Sequence, residues 1–525
     1  MSEPVLLVLG LAAAMAFAIV SKRLAVPYPI VFVLAGAALA FVPGLPPVRI
    51  APDWIFLSIL PPLLFSGGWS TDLTLFRANL RPILLLAIGL VAVSTVAVAA
   101  LAERIVPGLG WAAAFALGAI VSPPDAVAAT ATFQRFAVPR RIVAVLEGEA
   151  LVNDATALVI YFYAVNAVVV GGFVPSRAAG SFVLIAAGGV LVGIVVEWCA
   201  ERITRLLNRL ELSDSLIDNL LIIGTPYAAY LLGDALHVSP VLATVVAGIR
   251  LGRRSAAIFT PETRLVGQSV WSLWIYVINA FVFLAIGLQL RTIVQDRAQT
   301  LALLPAALAI SALLIAVRLL WIYPAAWLPR ALFPGLRRRD PMPTLPQLFL
   351  LGWTGMRGIV SLAAALALPL TAVHGAPFPR RDAIVFIAFV VIFVTLVGQG
   401  LSLIPLVRVL RLGRREEDDR QRDIEVRIAA LQAGLREIER FGARAADDEE
   451  REVLERLRDE YAHRIEHLRG HGEETPASAF DHEAQLAAVR AERSEILRLR
   501  DAGEIPDEIF RRVLYDLDLA EARLF

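Results

Sequence analysis

Four residues of one apolar stretch could do chemistry that its other side chains could not. Glu147, Glu149, Asn153 and Asp154 lie in VAVLEGEALVNDATALVIYFYAV, residues 143–165, where everything else is apolar, small or neutral. The stretch is long enough to cross a bilayer as a helix. A charged side chain near the bilayer centre costs roughly 2.5 to 3.5 kcal/mol on insertion scales, so it persists only if paired, hydrated or used; the default reading is an ion or proton site. On a helix Glu149 and Asn153, four apart, share a face, while Asp154 is rotated by about 100° from Asn153. The two carboxylates therefore point in different directions.

A second polar group lies in WAAAFALGAIVSPPDAVAATATF, residues 111–133, with Ser122, Pro123, Pro124 and Asp125 at its middle. Two consecutive prolines remove two backbone donors and clash with the preceding turn, so a helix must open there. Irregular backbone at mid-membrane is tolerated where it lines a cavity, and such broken helices build cation sites in secondary transporters. Asp154 is placed to face this opening and Glu149 to turn to a cationic partner. Arg318 in LLIAVRLLWIYP and Arg357 in LGWTGMRGIVSLAAAL are the two intramembrane candidates, each a permanent charge in need of a carboxylate or several carbonyls. Glu149 with Arg318 is the preferred structural pair. Gly352, Gly355 and Gly358 loosen the helix around Arg357, so the two interrupted segments are expected to cross, with Asp125 and Arg357 balancing the exposed helix ends. A carboxyl group taken out of water favours its neutral form, so proton and cation can compete for Asp154. Exchange is electroneutral if only that group changes occupancy.

These residues need a membrane scaffold, and the composition supplies one. Of 525 residues, 58% are hydrophobic and the mean hydropathy is +0.67, too apolar for a soluble protein of this size. Apolar runs occupy about 4–20, 27–43, 54–69, 82–102, 111–133, 142–168, 180–200, 216–235, 238–250, 267–290, 300–328, 346–370 and 383–410. They predict an all-α polytopic membrane protein of about 13 transmembrane helices, built as two inverted repeats with crossed discontinuous helices. The first run reads as a retained span, because Lys22 and Arg23 follow it rather than precede it.

Basic residues cluster after odd-numbered spans: Lys22 and Arg23; Arg77 and Arg81; Arg135, Arg140 and Arg141; Arg202, Arg205 and Arg209; Arg250, Arg253 and Arg254; Arg337 to Arg339. The positive-inside rule then puts the N-terminus outside a bacterial-type inner membrane and the C-terminal segment in the cytoplasm. Arg408, Arg411, Arg414 and Arg415 agree with this, whereas Arg291 with Arg297 and Arg380 with Arg381 run against it.

From Arg414 the composition turns to Arg, Glu, Asp, Leu and Ala, with Ile424, Ile428, Leu431 and Leu435 at helical spacing. Residues 1–412 are read as the transmembrane domain and 413–525 as a helical cytoplasmic tail. Further helices are expected over 449–469 and 481–500, separated by the breaker HGEETPAS, with a short one after Pro506. His463, His467, His471 and His482 raise the prospect of pH sensing in the tail. Cys199 is the single cysteine, so no intrachain disulfide forms. No zincin, P-loop or nucleophile-elbow motif occurs in a suitable context, which argues against an enzyme. A net charge of +1 gives no reason to expect nucleic acid.

SPPDAVAA, GEALVND and GWTGMRGIVSLA together resemble the three signature segments of the monovalent cation/proton antiporter-1 family, the NhaP-like and NHE-type sodium/proton exchangers. The likeness covers the whole membrane part. It implies a dimerisation domain, a mobile core with crossed broken helices, elevator-like alternating access and a homodimer, with no cofactor. By this resemblance Asp154 carries the cation or proton, Asn153 stabilises the site, and Asp125 with the Pro124 carbonyl belongs to the unwound stretch; Asp154 and Asp125 are the cation ligands. Glu149 and Arg318 are the ion pair. Three positions depart from the family pattern: Ser66 stands where an acidic residue is common, Ala150 where a Ser is, and Pro124 where a Thr is. Hard cations want several oxygens, so these losses leave sodium, lithium and potassium as alternatives. A membrane sensor that binds an ion and signals through its tail is the competing reading.

Overall fold

The computed structural model describes residues 3–24, 26–43, 55–133, 138–171, 175–293, 297–333, 335, 340–372, 376–410, 416–442, 448–469, 476–502, 504, 509–510, 513–514, 516–518 and 521. Arg135, Arg337 to Arg339, Arg411, Arg414, Arg415, His374, His471, Pro506 and the 412/413 junction lie outside the described residues, as do the side chains of Arg297, His467 and His482. The chain forms two compact units, Met1–Arg415 and Glu416–Phe525.

The described residues of the first unit are almost all helical. Its principal helices are α1 (Glu3–Leu24), α2 (Tyr28–Leu39), α3 (Phe56–Ser70), α4 (Leu80–Ile105), α5 (Trp111–Val121), α6 (Val127–Phe133), α7 (Arg140–Asn166), α8 (Pro175–Arg209), α9 (Ser215–Ala235), α10 (Pro240–Ile258), α11 (Pro261–Leu288), α12 (Arg297–Leu332), α13 (Leu345–Trp353), α14 (Ile359–Leu366) and α15 (Arg381–Val409). Among the described residues the only extended pairing is an isolated bridge between Thr371 and Pro377. Among the described residues seven helices are long and apolar enough to cross a membrane: α4, α7 to α9, α11, α12 and α15. Leu184, Leu220 and Leu320 on three of them are 70–74% exposed, the reverse of a soluble fold and the expected outward face of helices solvated by lipid.

Packing divides the unit into two helix groups. In one, α4 and α7 pack on α5 and α12 packs on α15; in the other, α3, α8 and α9 pack on α10, and α11 packs on α2. Backbones approach closely between α3 and α10. A Cβ on Gly68 would sit 2.6 Å from the Val245 carbonyl oxygen, and one on Gly248 the same distance from that of Phe65. Small residues permit such contacts where no hydrophobic force drives helices together.

The structure moves several basic residues out of loops. Arg250, Arg253 and Arg254 lie within α10, which runs eight residues past the predicted end of that span, and Arg202, Arg205 and Arg209 lie within α8. Glu197 and Glu201 of α8 are buried and paired with Arg250 and Arg254 of α10, with an Arg250 Nε to Glu197 Oε2 distance of 2.8 Å. An apolar-run criterion stops at the first charge, whereas a helix continues into the interface as long as its charges find partners. The Arg380 and Arg381 pair, contrary to the charge pattern, has structural work. Arg381 donates to the Leu366 and Leu368 carbonyls at the end of α14 and Arg380 to that of Pro107, where a cation suits the unsatisfied carbonyls. His237 sits just past α9 in the left-handed region, φ 53°, within a helix-ending turn.

The second unit contains α16 (Glu416–Gly442), α17 (Asp448–Arg469) and α18 (Pro476–Asp501), with α16 packed on α17. Ile424, Ile428, Leu431 and Leu435 are half-buried along one stripe. α18 begins five residues before the sequence reading because Pro476, part of the expected breaker, serves as a helix start, where a missing N–H costs nothing. His463 is exposed.

Candidate functional site

The proline pair opens the fifth span as a five-residue break between α5 and α6. Val121 and Ser122 end the first half, with Ser122 N–H and Oγ both donating to the Gly118 carbonyl at 3.0 and 2.6 Å. Asp125 starts the second half: its Oδ1 accepts from Val127 N–H at 2.8 Å, the usual use of an Asp before a helix. The twelfth span breaks likewise between α13 and α14, over Thr354 to Gly358.

The two breaks meet. Asp125 N–H donates to the Met356 carbonyl at 2.7 Å, and Arg357 Nε donates to the Val121 carbonyl at 3.0 Å, the C-terminal end of α5. A second guanidinium nitrogen bonds the Gly355 carbonyl, and Arg357 N–H reaches Thr395 Oγ1 at 3.1 Å. A buried cation thus caps a helix C-terminus and a carboxylate caps an N-terminus, both favourable against the helix dipole. Gly358 is obligatory here because an added Cβ would run into the Asp125 carboxylate.

α7 carries the remaining charges on different faces. Glu149 is buried against Arg318, whose two terminal nitrogens donate to Glu149 Oε1 and Oε2 at 2.5 and 2.8 Å, in the bidentate geometry guanidinium favours. Arg318 also reaches the Leu351 carbonyl at 3.3 Å, tying α7, α12 and α13 together. Asn153 is buried and its Nδ2 donates to the Pro124 carbonyl at 2.8 Å, holding the fifth-span break. Its Oδ1 has no hydrogen-bond partner among the described residues.

Asp154 is half-buried and looks into a cavity of about 330 Å³. Asp125, Pro124 and Ser66 line the same space, which lies between the two helix groups and is bounded by α2, α3, α6, α7, α11 and α14. Asp125 and Asp154 are close enough to feel each other's charge. The structure thus brings Asp154, Asp125, Pro124 and Ser66 to one cavity, puts Asn153 behind its lining, and sets Glu149, Arg318 and Arg357 away from it as internal braces.

Sequence reasoning did not single out Tyr28 of α2 and Asn279 of α11, which line this cavity, and it named Glu147 of α7 without placing it there. Tyr28 lies beside Asn279 and Asp125. Asn279 stands in an apolar run and carried the same signal as Asn153, a polar side chain with no evident partner inside a span. Carboxylates, an uncharged amide and a phenol around a mid-helix break can hold a small cation or a proton without any covalent step.

The transmembrane sodium/hydrogen exchanger family model matches residues 10–409. The chain belongs to that family. It is therefore a multi-pass membrane transporter rather than an enzyme, with cations and protons as substrates and no cofactor required. It is 32% identical over 523 residues to an uncharacterized Na+/H+ exchanger, YjcE, of Escherichia coli, across 95% of this chain and 94% of that one. A sodium, potassium, lithium and rubidium/proton antiporter of Bacillus subtilis is 30% identical over 501 residues, 92% of this chain and 72% of the relative. Among solved structures, the sodium proton antiporter MjNhaP1 of Methanocaldococcus jannaschii shares the fold, with a TM-score of 0.55 at 16% identity over 77% of this chain and 97% of that one.

Proposed function

We propose that the protein is a secondary antiporter in which Asp154 carries either one monovalent cation or one proton across the membrane. The observation that carries this reading is the contrast within α7: Glu149 is neutralised by Arg318, while Asp154 faces a cavity beside a broken helix with no ion pair of its own among the described residues. One carboxylate that trades one cation for one proton gives an electroneutral exchange. Asp125 and the Ser66 hydroxyl supply further oxygens, and Asn153 holds the Pro124 backbone in place.

Sodium is the leading substrate, with lithium and potassium alongside it. The Bacillus subtilis relative, named for four alkali cations, and a roomy cavity of about 330 Å³ both favour a broad preference. The thirteen apolar runs are taken as thirteen spans in two inverted repeats, within a transmembrane domain of residues 1–412. The N-terminus is outside and the tail, residues 413–525, is cytoplasmic. The helix group containing α5 to α7 and α12 to α15 moves as a core against α2, α3 and α8 to α11, in an elevator-like cycle within a homodimer.

The test is proton flux in proteoliposomes. Adding sodium, lithium or potassium chloride to vesicles with an imposed pH gradient should dissipate it, with a rate unchanged when the membrane potential is clamped. A cation-independent signal, or a rate that scales with potential, would refute the exchange as written.

A further inference from the structure

Glu147 lies seven residues before Asp154 on α7. Seven residues are two turns, so both side chains leave the same face, about 10.5 Å apart along the axis. Ala150, between them on that face, adds no bulk that would separate them, and all three line the same cavity.

Glu147 also borders a second cavity of about 220 Å³, formed with Ser70, Thr71, Asp72, Leu75, Phe76, Arg140, Val143 and Ala144. Glu147 and Ser70 are the residues common to both spaces. The outer one is rimmed by the exposed side chains of Ser70, Asp72 and Arg140, whereas Glu147 itself is half-buried. Exposed side chains therefore stand at the rim, with half-buried Glu147 and Asp154 behind them.

The charges along this route are unequal. Asp72 is engaged in capping the short helix Leu73–Ala78, its Oδ1 accepting from Thr74 and Leu75 N–H, and Arg140 opposes its sign. Glu147 has no hydrogen bond or ion pair among the described residues, although it lies within a membrane-spanning helix where an unused carboxylate is costly.

We propose that Glu147 is a second cation-binding carboxylate, an entry station that gathers monovalent cations from the Arg140 end of α7 and raises their occupancy at Asp154. This rests on Asp154 being the carrying residue. A negative charge about 10.5 Å away changes the affinity of a monovalent cation about 2- to 14-fold between effective dielectric constants of about 80 and about 20.

The experiment is cation-driven proton flux in proteoliposomes for Glu147→Gln and Glu147→Asp, with sodium and potassium titrated separately. The Gln variant should raise the half-saturating concentration of both cations about 2- to 14-fold while its maximal rate stays within about twofold, and the Asp variant should recover most of the affinity. Glu147→Ala carries the same expectation if the Gln variant does not fold. An unchanged half-saturating concentration in the neutral variants would overturn the proposal, and so would a collapse of maximal rate at unchanged affinity. If the unsubstituted protein shows no exchange, the antiport reading fails separately, and binding of radioactive sodium to purified protein in detergent decides the point: weaker binding in Glu147→Gln supports the station, equal binding removes it.

Discussion

Glu149 and Asp154 are carboxylates five residues apart on one helix, yet they have opposite surroundings. Glu149 is buried, held at both oxygens by Arg318, and away from the cavity. Asp154 is half-buried, faces the cavity, and shares it with Asp125 and Ser66. A buried, bidentate ion pair fixes three helices and leaves neither carboxylate oxygen free for a substrate. A carboxylate without a resident partner at a water-accessible space can change partners, which is what exchange requires. The difference comes from rotation about the helix axis: five residues place Asp154 about 140° from Glu149.

The largest effect on folding should come from the braced region. Arg318→Ala would leave Glu149 as an uncompensated buried charge and should cost about 3 to 5 kcal/mol, read as a lowered unfolding midpoint in detergent. The double replacement Glu149→Gln with Arg318→Met should be less damaging than Arg318→Ala alone; equal or greater loss would show that the pair is not the brace. Next is Gly358→Ala, whose Cβ would displace the Asp125 carboxylate. About 1 to 3 kcal/mol of overpacking is expected, with at least tenfold slower exchange, and a normal rate would separate Asp125 from the site. The smallest is Asn153→Ala, which removes the donor to the Pro124 carbonyl. About 1 kcal/mol of stability should be lost with this bond, and exchange should slow more than stability falls; a purely proportional loss would reduce Asn153 to a structural hydrogen bond.

The all-helical fold was legible because apolar runs of membrane length admit few other solutions. The breaks were legible too, since Pro123 and Pro124 cannot continue a helix, and Gly355 and Gly358 flank a buried Arg357. Glu149 and Arg318 could be matched because each is intolerable alone. What could not be read is which face of each helix meets the cavity. Tyr28 and Asn279 reach it from α2 and α11, far apart in sequence and joined only by the packing of those two helices on each other. Glu147 shares its local pattern with Glu149, and only the placement of α3 beside α7 distinguishes a lining residue from a braced one. The end of α10 at Ile258 and the start of α18 at Pro476 were missed for a local reason: charged turns and an N-terminal proline look like breaks to a hydropathy window.

The contrast between the two carboxylates is tested most directly by measuring exchange and thermal unfolding together in Asp154→Asn. The amide keeps the shape but cannot lose a proton or balance a cation, so cation-driven proton flux in proteoliposomes should fall to the level of empty vesicles while the unfolding midpoint stays within a few degrees of the unsubstituted protein. Undiminished sodium- or potassium-driven flux in that variant would contradict the assignment of Asp154 as the carrier.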